Sequence, residues 1–220
     1  MRLKQPWWSV FLAAGLSGLV GVTAVAAAGA QFLPVLSIRE GVTRAVGIPQ
    51  ANGYIDYVTL LNARDGGING VPLVWEECET VFDVTRTVEC YERLKTQGPT
   101  GAAAFYLPFP SQIGYALTER ATHDQIPLIT LGTGRTDASD GRVFPYVFNP
   151  PINVWSQNTA KIRFLGQRAG GMEQLKGRKI AHVYGEAAGP EALPILDTQA
   201  AQYGFEIGRA SCRERVYVLV

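Results

Sequence analysis

Two short apolar runs, at residues 101–108 and 126–132, dominate the hydrophobic pattern of the chain. Each run is continuously apolar and is closed by Gly, Pro or small polar residues, which is typical of a strand buried on both faces of a parallel sheet. Between them, apolar residues recur at helical spacing after Ser111. The pattern therefore predicts a strand, a helix and a second strand, and both strands open into loops at their carboxyl ends.

The same alternation of strands and helices extends along the chain. Further strands are predicted at residues 33–38, 71–75 and 179–184, and another starts at Phe205. Prolines that suit a first helical turn and polar residues that suit an N-cap mark the predicted helix starts, at Pro49, Asp83, Ser111, Asn153 and Pro190. Three strand-helix-strand units in succession predict an α/β fold with a doubly wound parallel sheet.

The alternation is interrupted after residue 136 by a polar turn, and Pro150 and Pro151 then stiffen the chain. We therefore expect a first ligand-binding lobe at residues 31–150 and the start of a second α/β lobe at residues 151–207. The second lobe is expected to be incomplete, because only its first strands and helices are present.

The end of the chain does not continue the pattern. Residues 207–216 show no periodicity, and they look like the translation of a common sequencing-adapter oligonucleotide. We therefore expect residues 208–220 to be a non-native tail, in which case Cys212 is not a natural cysteine. The alternative is an ordinary basic tail.

The N-terminus carries an export signal. Arg2 and Lys4 supply a short positive region, and residues 10–28 are apolar and uncharged. Small residues then fit a peptidase site, so residues 1–30 are predicted to be a signal peptide that is cleaved near Ala30. The alternative is a retained membrane anchor, since the apolar run is close to the length that spans a bilayer.

Export changes the interpretation of two cysteines. Cys78 ends an apolar run and Cys90 lies in the helical segment after it. In an oxidising compartment such a pair can close the connection as a disulfide, whereas the alternative is two buried free thiols. The spacing matches no zinc pattern, so no metal site is expected here.

Composition and motifs favour no catalytic function. A formal net charge of +1 gives no reason to expect nucleic acid or an anionic membrane as a partner. Residues 132–137 begin like a dinucleotide fingerprint, but Asp137 stands where a third small residue belongs. His182 lies inside an apolar run, where a core histidine is the more common interpretation. We therefore expect no enzyme and no cofactor.

A set of segments in a fixed order resembles a known family, the type I periplasmic solute-binding proteins of ABC importers. The resemblance is to the branched-chain amino acid, amide and urea branch, and it covers residues 32–207. Its segments are residues 52–54, 62–70, 76–79, 88–94, 98–101, 116–119 and 126–129. Such proteins consist of two α/β lobes that close around a small polar ligand.

The resemblance implies a set of ligand-binding residues at the strand ends. From the first lobe these are Tyr106, Leu107, Gly132, Thr133 and Gly134, and from the second lobe Tyr184 and Trp155. For Tyr106 and Trp155 the alternative is packing in the core. Arg135, in the same loop as Gly134, is either a solvated charge or a partner for an anionic ligand.

The function that the resemblance implies is an extracytoplasmic, periplasmic receptor. It would deliver a branched-chain or other amino acid, an amide or urea to the membrane subunits of an ABC importer, acting as a monomer. One alternative is a ligand-sensing domain of a membrane receptor, in which residues 1–30 would be a retained anchor. Another is a secreted α/β hydrolase.

Overall fold

The computed structural model describes residues 29–108, 111–130, 134–185 and 189–212. The predicted signal peptide, Gly132, Thr133 and most of the predicted tail lie outside these ranges. Six strands are described: β1 Gln31–Ser37, β2 Leu73–Glu79, β3 Leu128–Ile129, β4 Val147–Phe148, β5 Lys179–Gly185 and β6 Glu206–Cys212. Five α-helices accompany them: α1 Arg44–Asp65, α2 Val84–Leu94, α3 Ser111–Asp124, α4 Val154–Ala169 and α5 Leu193–Tyr203.

All three strand pairs are parallel, as the alternating pattern predicts. β1 pairs with β2, β3 pairs with β4, and β5 pairs with β6. The strand predicted at residues 101–108 is present only as isolated bridges, from Ala103 to Phe32 and from Tyr106 to Leu128. These bridges place it between β1 and β3, so this segment joins the first two strand pairs. The segment lies where the sequence predicts a strand, but it does not form the regular hydrogen bonds of a strand.

Helices cover both faces of the sheet around β1. On one face Phe32 and Leu36 share a core with Tyr91 of α2 and Leu117 of α3. On the other face Leu33 and Leu73 pack against Val58 of α1. Successive residues of β1 therefore enter opposite cores, which is the arrangement of a doubly wound sheet.

A separate core lies in the second half of the described chain. Ile162 of α4, Leu196 of α5 and Phe205 are buried together, and Ile180 of β5 and Ile207 of β6 pack against them. The register sets Ile180 opposite Ile207, and the pairing of β6 with β5 continues to Cys212. One face of this strand pair is thus covered by α4 and α5.

Two predicted N-cap residues cap their helices, whereas α5 begins at Leu193 rather than at the predicted Pro190. Asp83 accepts a hydrogen bond from the Arg86 N–H, and Asn153 accepts one from the Ser156 N–H. The prediction for α1 is wrong by one turn, because the helix begins at Arg44 and Pro49 lies inside it. None of the helices in the described ranges combines the length and apolar character needed to cross a membrane.

Candidate solute-binding site

Thr136 lies where three segments of the chain meet. Its backbone N–H donates to Glu191 Oε1 at 2.7 Å, and its hydroxyl oxygen accepts from the Trp155 N–H at 3.2 Å. The indole N–H of Trp155 in turn donates to the Glu191 carbonyl oxygen at 2.9 Å. The loop after β3, the first turn of α4 and the turn before α5 are therefore tied to one another.

Glu191 has only one of its carboxylate oxygens satisfied. Oε1 accepts the Thr136 N–H, whereas Oε2 is buried and has no hydrogen-bond partner among the described residues. Burial raises the pKa of this carboxyl above its ordinary value, and the hydrogen bond from Thr136 opposes that rise. A buried acceptor without a partner is rare in folded proteins, because burying it without a hydrogen bond costs free energy.

Arg135 is held by two carboxylates. Its guanidinium donates to both oxygens of Asp137, at 2.9 and 2.6 Å, and to Glu119 Oε1 at 3.0 Å. These hydrogen bonds raise the pKa of Arg135, with Asp137 the larger cause. The guanidinium also lies over the rings of Tyr115 and Phe144. Arg135 is therefore a charge that is already paired within the chain.

These groups surround a cavity of about 470 Å³. Its walls come from α3, from the loop after β3, from the start of α4 and from the segment that opens α5. The lining residues are Tyr115, Arg135, Thr136, Asp137, Trp155, Glu191 and Pro194. The Tyr115 hydroxyl is a second buried polar atom with no hydrogen-bond partner in the described part of the chain. The cavity thus combines aromatic and charged side chains, as ligand sites often do.

Trp155, which the resemblance places among the ligand contacts, lines this cavity. Its side chain is 38% exposed, and its indole N–H is fixed by the bond to Glu191. The alternative of a core position on α4 is not what the structure has. Trp155 is the one predicted contact residue among the lining residues of the described chain.

The side chain of Tyr106 lies in the core, which corrects its prediction as a ligand contact through the ring. The residue is fully buried, and its hydroxyl donates to the Tyr91 carbonyl oxygen at 2.9 Å. The two tyrosine rings lie 4.7 Å apart between their centroids. The aromatic ring is therefore satisfied by packing and by one buried hydrogen bond.

Gly134 positions the loop after β3. A Cβ at this position would lie 2.1 Å from Asn149 Oδ1 and 2.6 Å from Thr130 Oγ1, so the close approach leaves space only for glycine. The Gly134 carbonyl oxygen accepts from the Val154 N–H at 3.2 Å, which links the loop to α4. Its predicted partners Gly132 and Thr133 lie outside the described residues.

Leu107 and Tyr184 are not among the residues that line this cavity. Leu107 lines a different, apolar groove of about 560 Å³ beside α1. Tyr184 is half-buried and stacks on His182, with 4.9 Å between the ring centroids. The structure therefore does not bring these two residues together with Trp155.

The sequence prediction missed several lining residues, among them Tyr115, Thr136 and Glu191. Glu191 had a usable signal, because it follows the carboxyl end of β5 and ligands bind outside the carboxyl ends of parallel strands. No such signal marks Tyr115, because its position in the helical repeat of α3 is that of an ordinary helix residue. Its place at the cavity depends on how α3 packs near Arg135.

The remaining chemistry concerns cysteines and metals. Cys78 and Cys90 are joined in a disulfide between β2 and α2, as the sequence predicts. Within the described ranges, no group of three or more His, Cys, Asp or Glu side chains is arranged to hold a metal ion.

Comparison with known proteins gives the family of the chain. A family model described as "Periplasmic binding protein" matches residues 30–208. The chain belongs to the periplasmic binding protein family. Members of this family are solute receptors rather than enzymes. No curated protein is similar enough to the chain to count as a match.

Solved structures of periplasmic binding proteins resemble the described fold. A protein described as an ABC transporter permease, from the Pseudomonas fluorescens group, is 43% identical with a TM-score of 0.75, over 84% of this chain and 45% of its own. A Thermus thermophilus branched-chain amino acid ABC transporter with bound valine is 18% identical with a TM-score of 0.68, over 83% and 46%.

A third structure resembles the chain to a similar degree. This fatty acid ABC transporter substrate-binding protein from Thermomonospora curvata is 21% identical with a TM-score of 0.68, over 84% of this chain and 45% of its own. At these low identities the last two structures support the fold alone. The chain spans less than half of the length of each of the three structures.

Proposed function

We propose that this chain forms the first lobe and the start of the second lobe of an exported receptor that delivers a small polar solute to an ABC importer. The observation that carries the proposal is the cavity between α3, the loop after β3, α4 and the turn before α5. It is lined from both halves of the chain, and residues 31–150 and 151–207 are proposed to be the two lobes. Closure of such lobes around a ligand is the expected motion.

The proposed solute is an amino acid, branched-chain or other, or an amide or urea. A cavity of about 470 Å³ is large enough for an amino acid, an amide or urea. We propose that Gly132, Thr133 and Gly134 add backbone contacts from the first lobe. The partner is the membrane part of an importer, and the receptor acts as a monomer without a cofactor.

A thermal-shift series on the complete protein that contains this chain tests the proposal. Leucine, valine, acetamide and urea would each be added in excess, and a solute that binds the native state raises the melting temperature by mass action. At a hundredfold excess over Kd the native state gains about 2.7 kcal/mol. If none of these compounds changes the melting temperature, the proposed solute class is wrong.

Mass spectrometry of the exported protein tests its proposed location. We infer that residues 1–30 are a signal peptide, so the mature chain should begin near Gln31 and appear in the extracytoplasmic fraction. An intact N-terminus on a membrane-bound protein would instead support the sensory alternative.

A further inference from the structure

A hydrogen bond from Glu191 crosses between the two proposed lobes. Its carboxylate Oε1 accepts the Thr136 N–H at 2.7 Å, across 55 positions of the sequence. Thr136 precedes the proposed boundary after residue 150, whereas Glu191 follows it and lies in the turn before α5. Both partners belong to the chain, so this bond forms without any atom of a solute.

Glu191 is held in place from its own side of the boundary. The Trp155 indole N–H donates to the Glu191 carbonyl oxygen at 2.9 Å, and Trp155 belongs to α4 in the second half of the chain. The next residue, Ala192, is buried with Ile162 and Leu196 in the core of that half. The carboxylate is therefore presented to Thr136 by a turn that is anchored within the proposed second lobe.

Two further hydrogen bonds cross the boundary, but they lie at the connection itself. The Val154 N–H donates to the Gly134 carbonyl oxygen at 3.2 Å, and Asn153 Nδ2 donates to the Ser139 hydroxyl oxygen at 3.0 Å. These bonds tether the start of α4 beside the hinge region, where a few residues absorb a rotation of one lobe against the other. Separation of the lobes therefore has to break the bond from Glu191, whereas the bonds at the connection can persist.

The bond from Glu191 also has a cost. Its other carboxylate oxygen, Oε2, is buried and has no hydrogen-bond partner in the part of the chain that the structure describes. In an open arrangement, with the lobes separated, water would hydrate this oxygen. The desolvation of an unpaired acceptor therefore offsets part of what the bond to Thr136 gains. The bond favours the closed arrangement, in which it is made, without making that arrangement permanent.

We propose that Glu191 is a positioning residue that joins the two lobes and sets the population of the closed receptor. This inference rests on the proposed receptor function and adds a control of closure that is built into the chain. Glu191 then acts on solute affinity through the fraction of molecules in the closed arrangement. Loss of the bond should consequently weaken every solute by the same factor.

Distance measurements on the complete protein test the population directly. Spin labels at Asp56→Cys on α1 and Arg163→Cys on α4 would report the separation of the lobes, because both side chains are exposed. We expect one distance that matches the described structure and a second distance from the open arrangement. Glu191→Ala should lower the closed-to-open ratio at least about threefold, because the Thr136 N–H then lacks its acceptor in the closed arrangement and is hydrated in the open one.

Two further variants assign the effect to the crossing bond. Glu191→Gln keeps a side-chain acceptor of the same size, so it should retain more of the closed arrangement than Glu191→Ala does. Glu206→Ala is the matched control, because Glu206 is an exposed carboxylate on β6 whose near neighbour Lys179 lies in the same half of the chain. It should leave the ratio unchanged, and a fall equal to that of Glu191→Ala would contradict the proposal.

Solute affinity gives a second readout, which separates control of closure from contact with the solute. Isothermal titration calorimetry would use those among leucine, valine, acetamide and urea that bind the unaltered protein. Glu191→Ala should weaken each of them by the factor by which it lowers the closed fraction. A loss confined to one compound would make Glu191 a solute contact and overturn its role in closure.

The outcomes distinguish this inference from the proposed function. If Glu191→Ala lowers the closed-to-open ratio but none of the compounds binds, the role of Glu191 stands and the proposed solute class is wrong. If a compound binds and the ratio is the same with and without Glu191, the receptor function stands and the role of Glu191 is wrong. A single distance in all variants, unchanged by a bound compound, also overturns that role.

Discussion

β1 and β5 are both seven-residue parallel strands, yet they are buried very differently. Every residue of β1 after Gln31 is buried, whereas β5 alternates between exposed and half-buried positions. The fifth residue is valine in both strands, and its exposed fraction is 5% for Val35 but 61% for Val183. In the described chain, β1 lies between helices on both sides, whereas α4 and α5 cover β5 on one side.

The comparison shows what an apolar run does and does not determine. The sequence predicts a strand at residues 179–184, and the strand is present, but in the described chain only one of its faces is covered. An apolar run favours a strand, but burial of its second face depends on whether another element packs there. The region around β1 is therefore expected to carry most of the stability, and the following predictions test that difference.

Removing the disulfide should lower the stability of the protein more than any of the single substitutions below. The bond joins Cys78 to Cys90 beside β1, with a sequence separation of 12. Replacing both cysteines by serine should lower the free energy of unfolding by about 3 kcal/mol, because the unfolded chain regains the freedom of the closed loop. Urea denaturation measures this, and adding a reductant to the unaltered protein should reproduce the loss. A change below about 1 kcal/mol would mean that β1 does not depend on this bond.

Val35 and Val183 provide a matched pair of substitutions, and both should lower stability less than removal of the disulfide does. Val35→Ala should lower the free energy of unfolding by about 2 kcal/mol, because it removes buried methyl groups from a packed core. Val183→Ala removes the same atoms from an exposed position, and the expected change is within about 0.5 kcal/mol. Comparable losses in the two variants would show that β5 is covered on both faces in the complete protein.

The N-cap residues of α2 and α4 allow a comparison of the two regions, because the loss of either cap should lower the free energy of unfolding by about 1 kcal/mol. Asp83→Ala and Asn153→Ala should each lose the cap bond, at a cost of about 1 kcal/mol. Asn153 should cost more, because its Nδ2 also donates to the Ser139 hydroxyl oxygen at 3.0 Å. Ser139→Ala separates the two terms, since it removes the partner of Asn153 Nδ2 and keeps the cap bond of α4. Equal losses for the alanine variants would mean that the bond to Ser139 contributes nothing measurable.

The smallest predicted effect concerns acid. Asp124 joins α3 to α2 through Lys95 Nζ at 2.8 Å, and this bond is the main cause that lowers its pKa from 3.8 to about 2. Because the folded pKa is depressed, the contribution of Asp124 to stability is present above pH 3.8 and is lost as the pH falls through 2. Asp124→Asn should therefore flatten the loss of stability over this range of pH.

A pair in the other region is the control for the acid experiment. Glu206 Oε2 lies 3.9 Å from Lys179 Nζ on the surface, and the side chains are 69% and 85% exposed. Exposed pairs of this kind contribute little to stability. Glu206→Gln should leave the acid denaturation curve unchanged, and a shift as large as that of Asp124→Asn would contradict the predicted difference between the regions.

Local signals in the sequence determined much of the fold. Asp83 and Asn153 cap their helices as predicted, because a short polar side chain before an apolar periodic segment has few other uses. The start of α1 was mispredicted because Pro49 resembles a first-turn residue, although the helix already begins at Arg44. Regular pairing at residues 103–106 depends on neighbours on both sides, which no local pattern contains.

The candidate site was less predictable than the fold. The resemblance implies both Trp155 and Tyr106 as ligand contacts, but only Trp155 lines the cavity, whereas Tyr106 is buried. Its burial follows from the tertiary contact with Tyr91, which is distant from it in sequence. Thr136 and Glu191 are joined across 55 positions, and such a contact is decided by packing rather than by spacing.

The disulfide between β2 and α2 has a consequence for the timing of folding. Under the proposed export, the reducing cytoplasm keeps Cys78 and Cys90 as thiols, so the newly made chain lacks about 3 kcal/mol of its final stability. That difference favours unfolded chains about a hundredfold before transport. Formation of the disulfide after transport then shifts the equilibrium back toward the folded chain. Closure of this one bond therefore makes the folded chain more stable after transport than before it.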